Sequence, residues 1–152
     1  IDQSLFARTI LDEKNGPPPE VNLFNEKNNG ECLLNLIEKG YIKSAHDVSL
    51  GGLLTAISKM CIKGNKGIKL EKTKKLMSDC EYFFSEDQSR YIIEINQKDL
   101  KEVSKILDKN SVHHEKLGVI VDKDMIINEK TKVTIDELKS YNTNWLTNYM
   151  SS

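Results

Sequence analysis

The sequence lacks the features that mark membrane proteins and most nucleic-acid-binding proteins. Its 152 residues carry 22 basic and 23 acidic side chains, which gives a formal net charge of −1 and no basic excess to attract nucleic acid. No apolar run approaches the ~20 residues that a membrane-spanning helix needs, and no charged-then-apolar leader is recognisable. Hydrophobic residues make up 38% of the chain. These observations favour an ordinary globular protein of the cytoplasm.

Cysteine and proline are also scarce. The cysteines, Cys32, Cys61 and Cys80, are odd in number and show no CxxC spacing, which favours reduced, mostly buried thiols over a metal site. The three prolines are contiguous, at residues 17–19. Such a run favours an extended linker, although a surface loop fits almost as well and a proline-motif ligand is a more distant alternative. Because the chain begins at Ile1, we expect a piece of a longer protein.

Hydrophobic periodicity predicts helices that alternate with strands. Apolar residues recur at helical spacing in residues 28–40, 51–63 and 98–107 and in a C-terminal segment. That last segment begins at a capping box formed by Thr134 and Glu137. We expect it to return Trp145, Leu146 and Tyr149 to the body of the protein. Residues 1–12 fit either a strand or the end of a helix.

The strongest strand signals are residues 82–84 and 91–95, where aromatic and β-branched residues cluster. The predicted strands are residues 43–48, 68–70, 82–84, 91–95, 112–121 and 125–127. Several of them follow one another directly, without an intervening helix. We therefore expect an α+β fold, a mixed sheet with packed helices, rather than a doubly wound parallel fold.

The segment AHDVSLGG, residues 45–52, places two glycines between a predicted strand and a predicted helix. A strand that ends at Val48 and a helix that begins near Gly51 would direct free backbone amides into the gap between them. Those amides and the helix dipole favour a phosphate. Gly51 and Gly52 would also let a ligand approach the backbone closely.

The polar residues of the same segment have two interpretations. Ser49 could bind a phosphate oxygen, and Asp47 is a hard oxygen ligand that suits magnesium. Alternatively, Ser49 only caps the helix, and His46 and Asp47 form a satisfied pair at the end of the strand. Spacing alone favours this second interpretation, because no lysine follows the glycines as it does in a phosphate-binding loop.

A second polar segment, SEDQSR at residues 85–90, lies between two predicted strands. It contains no glycine or asparagine that would form a tight hairpin turn. Its acids, amide, hydroxyls and arginine could bind a sugar phosphate or a nucleotide. An irregular connection with a solvated Glu–Arg pair, which would add little stability, explains the segment equally well.

Taken in order, several segments resemble the C-terminal domain of the phosphoribosylformylglycinamidine synthases, a domain of the aminoimidazole ribonucleotide synthetase type. They are AHDVSLGGLLTAISKM, GNKGIKL, FFSEDQSRYIIEI, LGVIV and TIDELKSYNTNW. The opening IDQSLFARTILD resembles the tail of the preceding nucleotide-binding domain. The resemblance thus divides the chain into residues 1–25, a tail and proline-rich linker, and residues 26–152, the C-terminal domain.

The resemblance implies a purine-biosynthesis ligase that converts formylglycinamide ribonucleotide to the amidine with ATP, Mg²⁺ and ammonia. Its implied partners are the remaining domains of the same chain and a glutaminase subunit with a small accessory subunit, or a fused glutaminase domain. The fragment itself could form a homodimer. The family's catalytic residues lie mainly in the missing domains, so we expect no catalytic residue here.

The resemblance also implies an auxiliary ATP/ADP site in this domain. Carried over by position, its residues are Asp47 for magnesium and Ser49, Gly51, Gly52, Glu86, Gln88 and Arg90 for the nucleotide. The sequence departs from the family at Leu50, where the family has an aspartate. Such an acid near a helix N-terminus contributes about 0.3–1 kcal/mol and is a possible magnesium ligand. Its loss also lessens repulsion of a phosphate, and the site could be vestigial.

Two other functions stay open at this point. The chain could belong to another member of the same superfamily, of the selenophosphate synthetase or thiamine-phosphate kinase type. It could also be a non-catalytic interaction module without a nucleotide site.

Overall fold

The computed structural model describes residues 1–72 and 77–151, and the chain divides into two compact units. Unit 1 comprises Ile1–Ile57 and Met77–Glu115, and unit 2 comprises Ser58–Leu76 and Lys116–Ser152. In chain order the elements are α1 (Leu5–Thr9), α2 (Leu23–Glu38), β1 (Ile42–Asp47), α3 (Gly52–Gly64), β2 (Gly67–Leu70), α4 (Asp79–Phe84), β3 (Tyr91–Ile95), α5 (Leu100–Lys109), β4 (Gly118–Val121), β5 (Met125–Ile127), β6 (Thr131–Val133) and α6 (Ile135–Met150). This interleaving of helices and strands confirms the predicted α+β class.

Unit 1 contains the antiparallel pair of β1 and β3. Their register pairs Ala45 with Ile93 and Asp47 with Tyr91. The pairing continues one residue beyond β1, because the amide of Val48 donates a 2.8 Å hydrogen bond to the carbonyl of Arg90. The end of β1 is therefore held beside the segment that precedes β3.

Helices α2 and α5 form the core of unit 1 with this sheet. Cys32 and Leu36 of α2 and Val103 and Leu107 of α5 make one buried cluster. Partly buried hydrophobic residues pack against the cluster, and these are Tyr41, Ile42, Ile93, Ile95, Ile106 and Val112. The alternation of half-buried and exposed residues along β1 reflects this arrangement, since only one face of the strand meets the helices.

Unit 2 contains a sheet with the strand order β4-β2-β5-β6. Strand β2 pairs antiparallel with β4 and parallel with β5, and β6 pairs antiparallel with β5. This is the predicted mixed sheet. The strands that flank residues 122–124 are therefore not partners of each other, because β2 lies between them.

Helix α6 of unit 2 begins at the predicted capping box. The Thr134 hydroxyl accepts a 3.2 Å hydrogen bond from the Glu137 amide, and the Glu137 carboxylate accepts one of 2.8 Å from the Thr134 amide. The hydrogen bonds that the Thr134 amide and hydroxyl donate to the Glu137 carboxylate lower the pKa of that carboxyl. The helix then exposes Trp145, Leu146 and Tyr149 by 66%, 57% and 67%, so the prediction that they return to the body of the protein is wrong.

The predicted strand at residues 82–84 is also wrong, because these residues belong to α4. Ser78 and Glu81 form a second capping box, in which the Ser78 hydroxyl accepts from the Glu81 amide at 3.1 Å. Tyr82 and Phe83 are buried on this short helix. Their aromatic rings raise strand propensity, but burial and the cap determine the local structure here.

Other boundaries differ from the pattern. Of the strand predicted at residues 112–121, only Gly118–Val121 forms a strand, which is β4. Strand β6 was not predicted from the sequence. Helix α2 begins at Leu23 rather than at residue 28. Asn22 caps its start, because the Asn22 side chain accepts a hydrogen bond from the Asn25 amide. The predicted helices at 51–63 and 98–107 are confirmed within a few residues as α3 and α5.

Two of the three cysteines are buried. Cys32 and Cys61 lie in apolar surroundings, while Cys80 is exposed. Burial raises the pKa of the Cys61 thiol to about 11. Burial also raises the pKa of Cys32, although the charge of Lys39 partly opposes this change.

No helix within residues 1–72 and 77–151 has the length and hydrophobicity to cross a membrane.

We predict that Leu36→Ala lowers the free energy of unfolding by about 2–5 kcal/mol, because Leu36 is 1% exposed in the core of unit 1. The matched control is Leu34→Ala on the same helix, where Leu34 is 60% exposed. That change should alter stability by less than about 0.5 kcal/mol. Urea denaturation measures both values, and equal losses would contradict the assigned burial of α2.

Candidate functional site

The two polar segments meet at one pocket of unit 1. We call it the Asp47 pocket; its volume is about 330 Å³, within the range of small-molecule sites. It is lined by Glu26, Asp47, Val48, Ser49, Leu50, Glu86, Gln88, Ser89, Arg90 and Tyr91. Five of the residues that the resemblance implied thus lie around a single cavity.

Gly51 and Gly52 occupy a different position, since they are buried and do not line the pocket. Both have positive φ, +85° and +70°, and they turn the chain from the end of β1 into α3. A Cβ on Gly52 would lie 2.7 Å from the carbonyl carbon of Phe84. Glycine is therefore required there by the close packing of α3 against the end of α4.

The Glu86 carboxylate joins three parts of unit 1. Its Oε1 accepts a hydrogen bond from the Gly51 amide and another from the Leu5 amide, each at 2.8 Å. The Gly51 amide, which the sequence suggested for a phosphate, is thus already bound by the chain itself. Glu86 holds the start of α3, the start of α1 and the SEDQSR segment in one arrangement.

Arg90 is oriented by its neighbours in the same segment. Its Nη1 donates to the Ser85 hydroxyl at 2.9 Å and to the Asp87 carboxylate at 3.2 Å. Ser85 is buried, and the Arg90 side chain is 30% exposed. The arginine therefore pairs with Asp87 rather than Glu86, and its position is fixed at the pocket wall.

Ser49 and Gln88 have free side chains. Within residues 1–72 and 77–151 neither side chain makes a hydrogen bond, and Ser49 instead accepts one through its backbone carbonyl from the Gly52 amide, at 2.9 Å. The interpretation of Ser49 as only a side-chain cap therefore has no hydrogen bond to support it. Both residues are exposed and can accept or donate to a ligand.

Asp47 also projects from the end of β1. Its side chain is 63% exposed, and its Oδ1 lies 3.4 Å from Nδ1 of His46. Among the residues that the structure describes, no group of three or more His, Cys, Asp or Glu side chains could hold a metal ion. Asp47 alone fits a magnesium ion that keeps most of its water and also binds substrate phosphates.

Glu26, in the first turn of α2, was not expected in the site. It lies 60 residues before Glu86 in the sequence, and no local motif marks it. The contact between α2 and the SEDQSR segment brings it there, since the Asn29 amide group donates to the Ser89 carbonyl at 2.9 Å. Residues three apart on a helix share a face, so Asn29 and Glu26 face the same segment.

A larger cleft, of about 620 Å³, lies between α2 and α5. Its basic side chains are Lys39, Lys105 and Lys109, and Lys105 is 76% exposed. None of the residues implied by the resemblance lines it. Solvated lysines at an open cleft bind small anions weakly, so the Asp47 pocket is the better candidate.

The comparison with protein families gives one match, which covers most of the chain. The family described as AIR synthase related protein, C-terminal domain, matches residues 3–128. Among curated proteins, the phosphoribosylformylglycinamidine synthase subunit PurL of Pelagibacter ubique is 63% identical over all of this chain and 21% of its own length. The same subunit of Bartonella quintana is 32% identical over 99% of this chain and 20% of its own length. The chain therefore spans about a fifth of these relatives.

Solved structures of Thermotoga maritima PurL have the same fold as this chain. The complex of that protein with FGAR aligns with a TM-score of 0.75 and 22% identity, over 88% of this chain and 24% of the other. Its complex with ADP gives a TM-score of 0.69 and 22% identity, over 78% and 22%. The PurLQS assembly gives 0.69 and 22%, over 87% and 24%.

We predict that Glu86→Ala lowers the free energy of unfolding by about 1.5–3 kcal/mol, because it leaves the Leu5 and Gly51 amides without their charged acceptor. The matched variant Glu86→Gln keeps an acceptor oxygen and should lose less than half as much. Urea denaturation of both variants tests this role. Equal losses would mean that the carboxylate stabilises the chain by its charge and not by joining the two amides.

Proposed function

Because the chain belongs to the family of AIR synthase related proteins, C-terminal domain, we propose that it is the C-terminal part of a phosphoribosylformylglycinamidine synthase. The observation that carries the proposal is the 63% identity to such a subunit over all 152 residues. The complete enzyme is then an ATP-dependent ligase of purine biosynthesis, which converts formylglycinamide ribonucleotide to formylglycinamidine ribonucleotide. Its catalytic residues lie in other domains, and this domain completes and supports the enzyme.

We further propose that the Asp47 pocket is an auxiliary site for ATP or ADP with Mg²⁺. Asp47 would hold the metal, Ser49, Gln88 and Arg90 would contact the nucleotide, and Glu86 with Gly51 and Gly52 would fix the start of α3. The support is that Asp47, Ser49, Gln88 and Arg90 line one cavity. The PurL protein of Thermotoga maritima, which shares the fold, was solved with ADP.

The charge of the lining favours a nucleotide that carries its metal. Three carboxylates, Glu26, Asp47 and Glu86, and one guanidinium, Arg90, line the pocket. Phosphates alone would be repelled by this excess of negative charge. A divalent cation bound to the phosphates reverses the local sign, and Asp47 can then complete its coordination. Leu50, which is 64% exposed at the same wall, contributes no further ligand.

The proposed setting follows from the same assignment. The enzyme works in the cytoplasm, and ammonia comes from a glutaminase subunit with a small accessory subunit or from a fused glutaminase domain. Support for separate subunits is the assembly named PurLQS of Thermotoga maritima. The division of this chain at residues 25 and 26 into a linker and a C-terminal domain remains part of the proposal.

ADP release by the longer protein that contains this chain tests the enzymatic assignment. We expect release only when formylglycinamide ribonucleotide and ammonia are both present, and none when either is omitted. Release that does not need the ribonucleotide would favour another member of the superfamily. A folded protein that releases no ADP with both substrates would favour a non-catalytic module.

The metal role of Asp47 is tested with Asp47→Asn in the same protein. Hydrogen exchange of peptides that cover residues 44–57 reports ADP binding at this pocket separately from other nucleotide sites. With Mg²⁺ present, we expect the apparent Kd for ADP to rise about tenfold, which corresponds to the loss of about 1.4 kcal/mol. Without Mg²⁺ the variant should bind ADP at least as tightly as the original protein, because it lacks one carboxylate that repels the phosphates.

The control for that experiment is Asp108→Asn, since Asp108 is an exposed carboxylate of α5 that does not line the pocket. It should leave the apparent Kd unchanged at every Mg²⁺ concentration. Equal Mg²⁺ dependence in Asp47→Asn and in the original protein would remove Asp47 from the metal role.

A further inference from the structure

One carboxylate oxygen of Glu26 is buried without a hydrogen-bond partner in the described part of the chain. Its Oε2 is buried, and within residues 1–72 and 77–151 it is the buried side-chain oxygen that has no hydrogen-bond partner. The same residue lines the Asp47 pocket. Buried polar atoms in folded proteins are almost always hydrogen-bonded, and an unpaired carboxylate oxygen is among the most costly exceptions. This oxygen therefore lacks a donor among the described residues.

No donor of the described residues forms a hydrogen bond with Oε2 of Glu26, and two donor groups near it are bound elsewhere. Arg90, the cation of the pocket lining, donates through Nη1 to Ser85 and Asp87. The Asn29 amide group, one turn along α2, donates to the carbonyl and hydroxyl of Ser89. Within the described chain, Ser49 and Gln88 are free but do not bond this oxygen either, so a ligand in the pocket is the source of a donor that we consider.

The backbone of α2 around Glu26 is anchored by hydrogen bonds. The Asn22 side chain caps α2, and the Glu26 amide donates to the Asn22 carbonyl at 2.9 Å. On the following turn, Asn29 attaches the same face of the helix to Ser89. The carboxylate is thus presented from a helix that is anchored on both sides of it, which is the arrangement that recognises one group of a ligand.

We propose that Glu26 is a specificity-determining residue of the Asp47 pocket, where its Oε2 accepts a hydrogen bond from an uncharged O–H or N–H donor of the ligand. This proposal rests on the nucleotide assignment of the pocket. On that assignment, the donor is a ribose hydroxyl or the amino group of adenine, because nucleotide phosphates carry only acceptors at neutral pH.

A metal ion is a poorer partner for this oxygen. No group of three or more potential ligand side chains in the described part of the chain could hold a metal ion. Asp47 is exposed, so a hydrated magnesium ion suits its position, whereas Oε2 of Glu26 is buried and suits a directly bound donor. Glu26 would therefore recognise the nucleoside, and Asp47 the metal and phosphates.

The test uses Glu26→Gln in the longer protein that contains this chain. Hydrogen exchange of peptides that cover residues 44–57 gives the apparent Kd for Mg-ADP at this pocket. Glutamine keeps the shape of glutamate but replaces one acceptor oxygen with a donor, so we expect the Kd to rise about tenfold. The control is Glu38→Gln on the same helix, where the side chain is exposed and lies outside the pocket, and it should change nothing.

Analogues of ADP identify which donor Glu26 binds. We compare 2′-deoxy-ADP, 3′-deoxy-ADP and inosine diphosphate, each of which lacks one candidate donor. The analogue that lacks the partner of Glu26 should bind the original protein about tenfold more weakly than ADP, and Glu26→Gln should not weaken it further. If Glu26→Gln weakens ADP and every analogue by the same factor, the residue acts through structure and the proposal is overturned.

The other possible results also test the proposal. Equal ADP binding by Glu26→Gln and the original protein overturns the role of Glu26 and leaves the nucleotide site intact. No protection by ADP in the original protein overturns the nucleotide assignment itself, and this inference with it. A change in Mg²⁺ dependence would assign Glu26 to the metal instead. Without ligand, Glu26→Gln should not lower the urea midpoint, because Oε2 of Glu26 makes no hydrogen bond to a described residue that the change would break; a lower midpoint contradicts the proposal.

Discussion

The pair of hydrogen bonds to Oε1 of Glu86 is the interaction on which the rest of unit 1 depends. One carboxylate oxygen binds the amides of Leu5 and Gly51, which lie far apart in the sequence. It thereby fixes the start of α3, and Gly52 can pack against the backbone of Phe84 only when that start is in place. Because Glu86 belongs to the SEDQSR segment, the same bonds bring this segment to the end of β1 and create the pocket.

The pocket combines side chains that are bound with side chains that are free. Arg90 and Glu86 hold the wall in place through hydrogen bonds within the protein. Ser49, Gln88 and Oε2 of Glu26 have no such bonds in the part of the chain that the structure describes. A site that must bind a polar ligand needs both kinds, because a rigid wall lowers the entropy cost of binding and unsatisfied groups supply its enthalpy. The unpaired oxygen of Glu26 is a local cost to stability, of the kind that functional sites tolerate.

Part of this structure could be predicted from local patterns in the sequence. The periodicity of α3 and α5, the aromatic and β-branched residues of β3, and the Thr134–Glu137 cap were each readable, because each depends on neighbours within a few positions. Tyr82 and Phe83 were wrongly predicted to form a strand, because strand propensity does not take burial into account. Both residues are buried on a helix. The position of β2 between β4 and β5, and the arrival of Glu26 at the pocket, depend on pairings between distant segments. No local pattern could predict them.

The departure at Leu50 bears on how such a pocket keeps its selectivity. An aspartate there would add a fourth carboxylate to a lining that already holds Glu26, Asp47 and Glu86. Leucine lowers this negative charge and removes a possible metal ligand, so the affinity of the empty pocket for a free cation falls. Affinity for a nucleotide that brings its own metal is less affected, since its phosphates supply most of the coordination and now meet less repulsion. On the proposed nucleotide assignment, recognition then depends more on the nucleoside, the part of the ligand that we propose Glu26 binds.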